Sequence, residues 1–264
     1  VSGIPIPSRD VQQWAGPFER DEDFIRTGRW TVDLMVDLTA PSRDQAVLDV
    51  GCGCGRVARA LTDHLSPDGR YLGFDVGREP VEWCQREITV RFPAFVFVHA
   101  DVQNDLYNPD GPIPPEQFRF PCADESVDLV LLESVFTHLF PPAVEHYTRE
   151  CARVLLPGGH LLVSHHLIDE AAHRAVADGT TVFKFRESLG PATTLDPDEP
   201  LAGLAYEPEF AERVLEDNGL RVTHRRRGTW RDVPRYMVTQ DWLCALKPVG
   251  ERSDKHIEKT GLEL

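Results

Sequence analysis

The chain has 264 residues, 41% of them hydrophobic and 27% charged. That is enough to bury the core of one α/β domain with a cap, without a disulfide or metal staple. Its 28 Lys and Arg against 43 Asp and Glu leave a formal charge of −15, which repels phosphate backbones and anionic lipid and argues against nucleic acid and membranes as partners.

The N-terminal region, 1–40, reads as an irregular, proline-bearing arm of about 20 residues followed by a helix. In that helix Ile25, Trp30, Leu34, Met35 and Leu38 recur at helical spacing before Ala40-Pro41. No apolar run nears the ~18 residues of a membrane span, and Val1-Ser-Gly-Ile-Pro lacks the regions of a secretory signal. Six cysteines (52, 54, 84, 122, 151 and 244) fit neither a disulfide framework nor paired zinc knuckles. Reduced thiols in a cytoplasmic protein are expected.

From position 41 strands and helices alternate. Ala46–Val50 predicts a strand, Arg56–Leu65 a helix, Tyr71–Asp75 a strand, Glu79–Arg91 a helix and Phe95–His99 a third strand. A proline-rich loop over 104–121 precedes a strand at Asp128–Leu132, a helix at Pro142–Leu155 and a strand at Gly159–Ser164. Near-continuous apolar strands separated by helices predict a doubly wound parallel sheet covered on both faces. A mixed segment at about 167–206 interrupts the alternation as a lid. A helix at Glu209–Asn218 and strands at Leu220–His224 and Asp241–Leu246 close a domain spanning 41–247. The charged remainder, 248–264, predicts a flexible tail.

Gly51-Cys52-Gly53-Cys54-Gly55 joins the first strand to the first helix, where glycine lets backbone approach a ligand. Arg56 replaces the last glycine of the dinucleotide fingerprint, and the GK-Ser/Thr of a phosphate loop is absent, which demotes NAD and nucleoside triphosphates. Asp75 closes the second strand, where a carboxylate can accept from both ribose hydroxyls, and Asp101 closes the third, within reach of an adenine amino group.

Val47-Leu-Asp-Val-Gly-Cys-Gly-Cys-Gly-Arg, Gly73-Phe-Asp75, Ala100-Asp101, Glu133-Ser-Val-Phe-Thr-His-Leu139 and Arg153-Val-Leu-Leu-Pro-Gly-Gly159 together resemble the ordered motifs of class I S-adenosylmethionine-dependent methyltransferases, over roughly residues 44–165. Weaker similarity through Ala205-Tyr206, Gly219-Leu220, Gly228-Thr-Trp230 and Gln240-Asp241-Trp242 resembles a bacterial group acting on small molecules. The resemblance implies a Rossmann-like seven-stranded sheet, mostly parallel with an antiparallel last strand, in three α/β/α layers. It also implies S-adenosylmethionine as cofactor and S-adenosylhomocysteine as product. Asp49 and the loop Gly51, Cys52, Gly53 and Gly55 would hold the methionine portion, Asp75 and Val76 the ribose, and Asp101 and Val102 the adenine. Glu133 and Ser134 would lie beside the sulfonium, and Cys54 stands where many relatives have Thr or Ser.

Methyl transfer to a hydroxyl needs a base; a neutral amine needs little beyond orientation. His138, His165 and His166 follow strands at the expected pocket edge, and of the adjacent pair only one is expected to face inward. Trp30, Phe136, Tyr206 and Trp230 are candidates for acceptor contact, Trp14 and Phe18 of the arm are further aromatics for lining the pocket, and the arm and lid set specificity. No metal is expected, since His-His-x-x-Asp169 does not fix coordination. The expected activity is methyl transfer to a small-molecule hydroxyl. Transfer to a small amine, binding of the cofactor without catalysis, and an NAD-dependent oxidoreductase remain as alternatives. Oligomeric state is open, with a homodimer compatible.

Overall fold

A computed structural model describes residues 3–231 and 239–250, so most of the expected tail, 251–264, lies outside the described residues. The arm contains a short helix, α1 (Arg9–Gln12), and a 3₁₀ turn (Gln13–Ala15) ahead of the long helix α2 (Asp21–Thr39). Asp21, Glu22 and Asp23 crowd the first turn of α2, where carboxylates complement the helix dipole, and Ala40 ends the helix in the left-handed region.

The alternation that follows is β1 (Ala46–Val50), α3 (Arg56–His64), β2 (Arg70–Asp75), α4 (Arg78–Cys84), β3 (Phe95–His99), β4 (Val127–Leu132), α5 (Pro141–Val154) and β5 (Leu155–His165). Two elements differ from the sequence reading. The second helix continues from α4 as a wider π turn over Gln85–Thr89, with the Gln85 and Thr89 side chains donating to the Phe97 and Phe95 carbonyls of β3. β5 begins at Leu155 rather than after Pro157-Gly158-Gly159, because Leu155 still pairs with Val127 and the Gly158 N–H still donates to Lys247. The glycines become an irregularity inside the strand.

In the lid, α6 (Glu170–Ala177) precedes a small antiparallel sheet of β6 (Glu187–Leu189), β7 (Ala192–Thr194) and β8 (Leu204–Tyr206). α7 (Pro208–Asp217), β9 (Arg221–Arg226) and β10 (Asp241–Leu246) complete the chain's order. The main sheet has seven strands in the order β3-β2-β1-β4-β5-β10-β9, parallel from β3 to β5, with β10 antiparallel to both its neighbours.

Successive residues of the central strands enter opposite cores. Leu48, Val130 and Leu132 join α5 and α7, whereas Val47, Leu129 and Leu131 join α2, α3 and α4. That produces a three-layer α/β/α sandwich. The strand order reverses between β1 and β4, which opens a crevice beyond their carboxyl ends.

Candidate active site

A cavity of about 400 Å³ occupies that crevice, within the usual range for small-ligand sites. Its floor is the loop after β1. Gly51 and Gly53 both have positive φ, and a Cβ on Gly51 would stand 2.5 Å from Val135 Cγ2. On Gly53 it would meet the Trp14 carbonyl at 2.6 Å, so the N-terminal arm lies directly on the loop. Gln13 to Pro17 line the cavity from that side.

Asp75, at the end of β2, accepts from the Gly53 N–H at 2.7 Å with one oxygen and from the Gly77 N–H at 2.8 Å with the other. Burial pushes its pKa up and these backbone donors pull it back, with a net rise. Each oxygen keeps a lone pair for a further donor. Asp49 accepts from the Tyr71 hydroxyl at 2.6 Å, and its burial raises its pKa to about 7 against that bond. Glu133, just past β4, is clamped by Arg56 at 2.8 Å and by the Thr31 hydroxyl of α2 at 2.9 Å. Ser134 follows with φ +60, a conformation costly for a residue with a side chain. It is held by a ring of bonds: its N–H donates to Ser164, Ser164 to Gln240, and Gln240 to the Ser134 hydroxyl.

The lid closes the other end. His138 ends a 3₁₀ turn (Phe136–His138) and lines the cavity. Its Nδ1 is 2.8 Å from the Leu201 carbonyl, and burial lowers its pKa. The Leu201 carbonyl requires a proton on Nδ1, so the neutral ring carries its lone pair on Nε2. His166 lines the cavity beside Phe183, Phe185 and Leu195, and burial takes its pKa down to about 3.

A family model for a methyltransferase domain matches residues 48–163, the span from β1 to β5 that supplies the glycine loop and Asp75. The chain carries a class I S-adenosylmethionine-dependent methyltransferase domain. Over 119 residues it is 36% identical to the phthiotriol/phenolphthiotriol dimycocerosates methyltransferase 1 of Mycobacterium ulcerans, covering 44% of this chain and 35% of that one. Over 129 residues it is 28% identical to a tRNA N(3)-cytidine methyltransferase of Gallus gallus, covering 48% and 32%. The chain therefore spans about a third of these curated relatives' lengths. A solved S-adenosylmethionine-dependent methyltransferase from Methanosarcina mazei shares the fold, with a TM-score of 0.55 at 15% identity over 82% of this chain and 98% of that one.

The methyltransferase site suits S-adenosylmethionine, its cofactor. Among the described residues its charged walls carry Asp49, Asp75 and Glu133 against Arg56, an acidic balance that matches a sulfonium and an ammonium opposed by one carboxylate. The glycine floor leaves the backbone bare where a Cβ would collide with Val135 or the arm.

Of the residues the sequence nominated for the cofactor, Asp49, Gly51, Cys52, Gly53, Asp75, Val76, Glu133 and Ser134 line the cavity. Gly55, Asp101 and Val102 do not. Gly55 starts α3 at φ +73 with Cys84 and Ile88 against it. The Asp101 side chain is exposed and accepts from Asn108, while Val102 is buried in the core. His165 is also outside. It packs between Phe136 and Tyr206 with both ring nitrogens unpartnered, and burial lowers its pKa to about 4.

All four aromatics nominated for acceptor contact lie behind the wall. Trp30 packs on Trp242 under Arg226, Phe136 is in the core, and Tyr206 donates its hydroxyl to the Leu139 carbonyl. The Trp230 indole donates to Asp241 at 2.8 Å and backs His166. Their size makes them core, and Tyr206 and Trp230 spend their polar atoms on the scaffold.

Of the arm's aromatics Trp14 lines the cavity, and it is joined there by Asn104, Tyr107, Phe183, Phe185 and Gln240. Asn104 sits in the proline-rich loop, accepts from two backbone N–H groups of that loop and donates to the His138 carbonyl. Its only sequence signal was the loop's length.

Proposed function

We propose that the chain transfers the methyl group of S-adenosylmethionine to a hydroxyl oxygen of a small molecule, with His138 as the base. The cofactor, when bound, supplies an electrophilic methyl carbon on a sulfonium. The residues hold, orient and dry the reactants, and His138 Nε2 takes the proton as the hydroxyl oxygen attacks in line. The observation that carries this reading is His138 itself: a cavity imidazole with Nδ1 committed to Leu201, kept unprotonated near neutral pH by burial. An amine acceptor would give so placed a base little to do.

The charge of −15 and a cavity roofed by the lid favour a small acceptor over RNA. No helix among the described residues is long and apolar enough to cross a membrane, and all six cysteines are unpaired. Unpaired thiols support the cytoplasm as the place of action.

His138→Ala is expected to lower turnover about 10²–10⁴-fold on a hydroxyl acceptor, with affinity for S-adenosylhomocysteine unchanged. Single-turnover transfer of labelled methyl, beside calorimetric binding of the product, reads both quantities. Wild-type turnover in the variant would remove His138 from the mechanism.

A further inference from the structure

The charges that line the cavity are confined to one end of it. Among the described lining residues Asp49, Asp75, Glu133 and Arg56 are the charged ones, and they stand in or just past β1, β2 and β4 and at the start of α3. The lid end is lined by Phe183, Phe185, Leu195, Ala202 and Gly203, and burial keeps its two imidazoles, His138 and His166, neutral. Cations are at hand in the same segment, yet burial alternates along Phe183-Lys184-Phe185-Arg186: Phe183 is half-buried and Phe185 buried at the cavity, whereas Lys184 and Arg186 are exposed and take no part in its lining. Phe185 belongs to a small core of its own with Ile168, Ala172, Ala205 and Trp230, against which Phe183 and Leu195 pack. The wall is thus an apolar surface built into the fold, and an apolar body laid on it is removed from water with gain. An ionised group laid there meets no opposite charge among the described residues, and an unpaired buried charge is costly.

We infer that the acceptor is an uncharged hydroxy compound with an apolar body: the body lies against Phe183, Phe185 and Leu195, and acceptors whose body carries a carboxylate are turned away. This rests on the hydroxyl-transfer reading above and adds the substrate class and the residues that select it. With the cofactor on the glycine loop and the reacting oxygen at His138, the lid wall is the surface left for the rest of the acceptor. A carboxylate on that body would also face Asp49, Asp75 and Glu133 across the cavity.

The test is calorimetric binding of the methyl esters of 6-hydroxy-2-naphthoate and 10-hydroxydecanoate, each beside its free carboxylate, to the full chain saturated with S-adenosylhomocysteine. One pair is aromatic and the other aliphatic, and within a pair the molecules differ in charge. At least one ester is expected to bind, more than about tenfold more tightly than its carboxylate. Phe183→Leu should keep that gap, because it keeps the wall uncharged. Phe183→Arg or Leu195→Arg, which put a cation into the wall, should close it to within about tenfold. An unchanged thermal shift with S-adenosylhomocysteine shows that each variant is folded. No binding of either ester, a carboxylate within about tenfold of its ester in the wild type, a gap that both arginine variants leave open, or one that Phe183→Leu closes as well overturns the inference. His138-dependent methyl transfer to the hydroxyl of a free carboxylate with no ester bound would sink this inference and leave the reaction standing. An ester bound as expected but never methylated would sink the reaction and leave the apolar subsite.

Discussion

The two halves of the cavity solve opposite electrostatic problems. On the cofactor side, carboxylates are buried and kept useful by backbone and hydroxyl donors: Asp75 by Gly53 and Gly77, Asp49 by Tyr71, Glu133 by Arg56 and Thr31. On the lid side, imidazoles are buried and kept neutral, His138 against the Leu201 carbonyl and His166 among rings. In one half burial raises the acids' pKa values and their donors pull them back. In the other burial lowers the imidazoles' pKa values and keeps the rings neutral. The difference shows that burial tunes acids and bases in opposite directions at the two ends of one pocket.

The sharpest way to break this division is at Asp241, on which the lid wall hangs. Its carboxylate accepts from the Leu167 and Gly228 N–H groups, the Trp230 indole and Arg231, whose side chain is only 3% exposed. Burial pushes the Asp241 pKa up, and these donors outweigh it to bring it below the ordinary value. Asp241→Ala strands a buried guanidinium and is expected to cost about 3–5 kcal/mol of stability, measured by urea unfolding. S-adenosylhomocysteine should still bind the folded fraction with wild-type affinity while methyl transfer to a hydroxyl acceptor is lost. Equal damage to binding and to transfer would mean that the halves are one unit.

Next in size is the pH dependence of stability, where the halves should pull apart. Asp49 titrates near 7 in the folded chain against 3.8 unfolded, so the folded state holds an extra proton between those values. Its contribution to stability is therefore lost as pH rises from about 4 to 7. About three pH units separate the two values, which sets a ceiling of about 4 kcal/mol. His165 and His166, at about 4 and about 3, shun protons that the unfolded chain binds below 6.5. Their contribution is lost as pH falls. Asp49→Asn should thus make stability climb more steeply between about pH 4 and 6.5 than in the wild type. A denaturation series across that range showing parallel curves would contradict the placement of Asp49.

Asp75→Ala belongs to the cofactor half alone. Loss of its two free lone pairs should weaken S-adenosylhomocysteine by about 1–3 kcal/mol, read by calorimetry, while single-turnover transfer at saturating S-adenosylmethionine stays at the wild-type rate. Unchanged affinity would remove Asp75 from the ribose.

The halves also differ in how far the sequence discloses them. The cofactor half is written locally. Gly51 and Gly53 follow β1 and Asp75 ends β2, so one strand end and one loop announce each feature, and strands β1 to β4 fall within a residue or so of where their apolar runs predict. The lid half is assembled from distant pieces: His138 from the turn after β4, His166 from the end of β5, Phe183 and Phe185 from an irregular segment, Gln240 from the approach to β10. No spacing rule connects them. Aromatic size pointed to Trp30, Phe136, Tyr206 and Trp230, yet large rings are what a core absorbs first: Phe136, Tyr206 and Trp230 are buried, and Trp30 is partly buried against the other core. Period-2 alternation did separate His165 from His166 in principle, and only the sheet's facing settles which of them turns inward.

The smallest expected effect tests the seam between arm and site. Thr31 lies on α2, far in sequence from Glu133, and its single hydroxyl proton is shared between the carboxylate at 2.9 Å and the Thr27 carbonyl of its own helix at 3.1 Å. Thr31→Val keeps the shape and removes the donor, which should cost about 0.5–1.5 kcal/mol for one hydrogen bond. Arg56 still pairs with Glu133 in the variant, so the carboxylate stays placed. Affinity for S-adenosylhomocysteine should fall by a few-fold at most, and the pH profile of transfer that reads His138 should not move at all. A change in that profile would mean that Glu133 reports the position of α2 to the lid, and the two halves would then communicate through β4 rather than merely share a cavity.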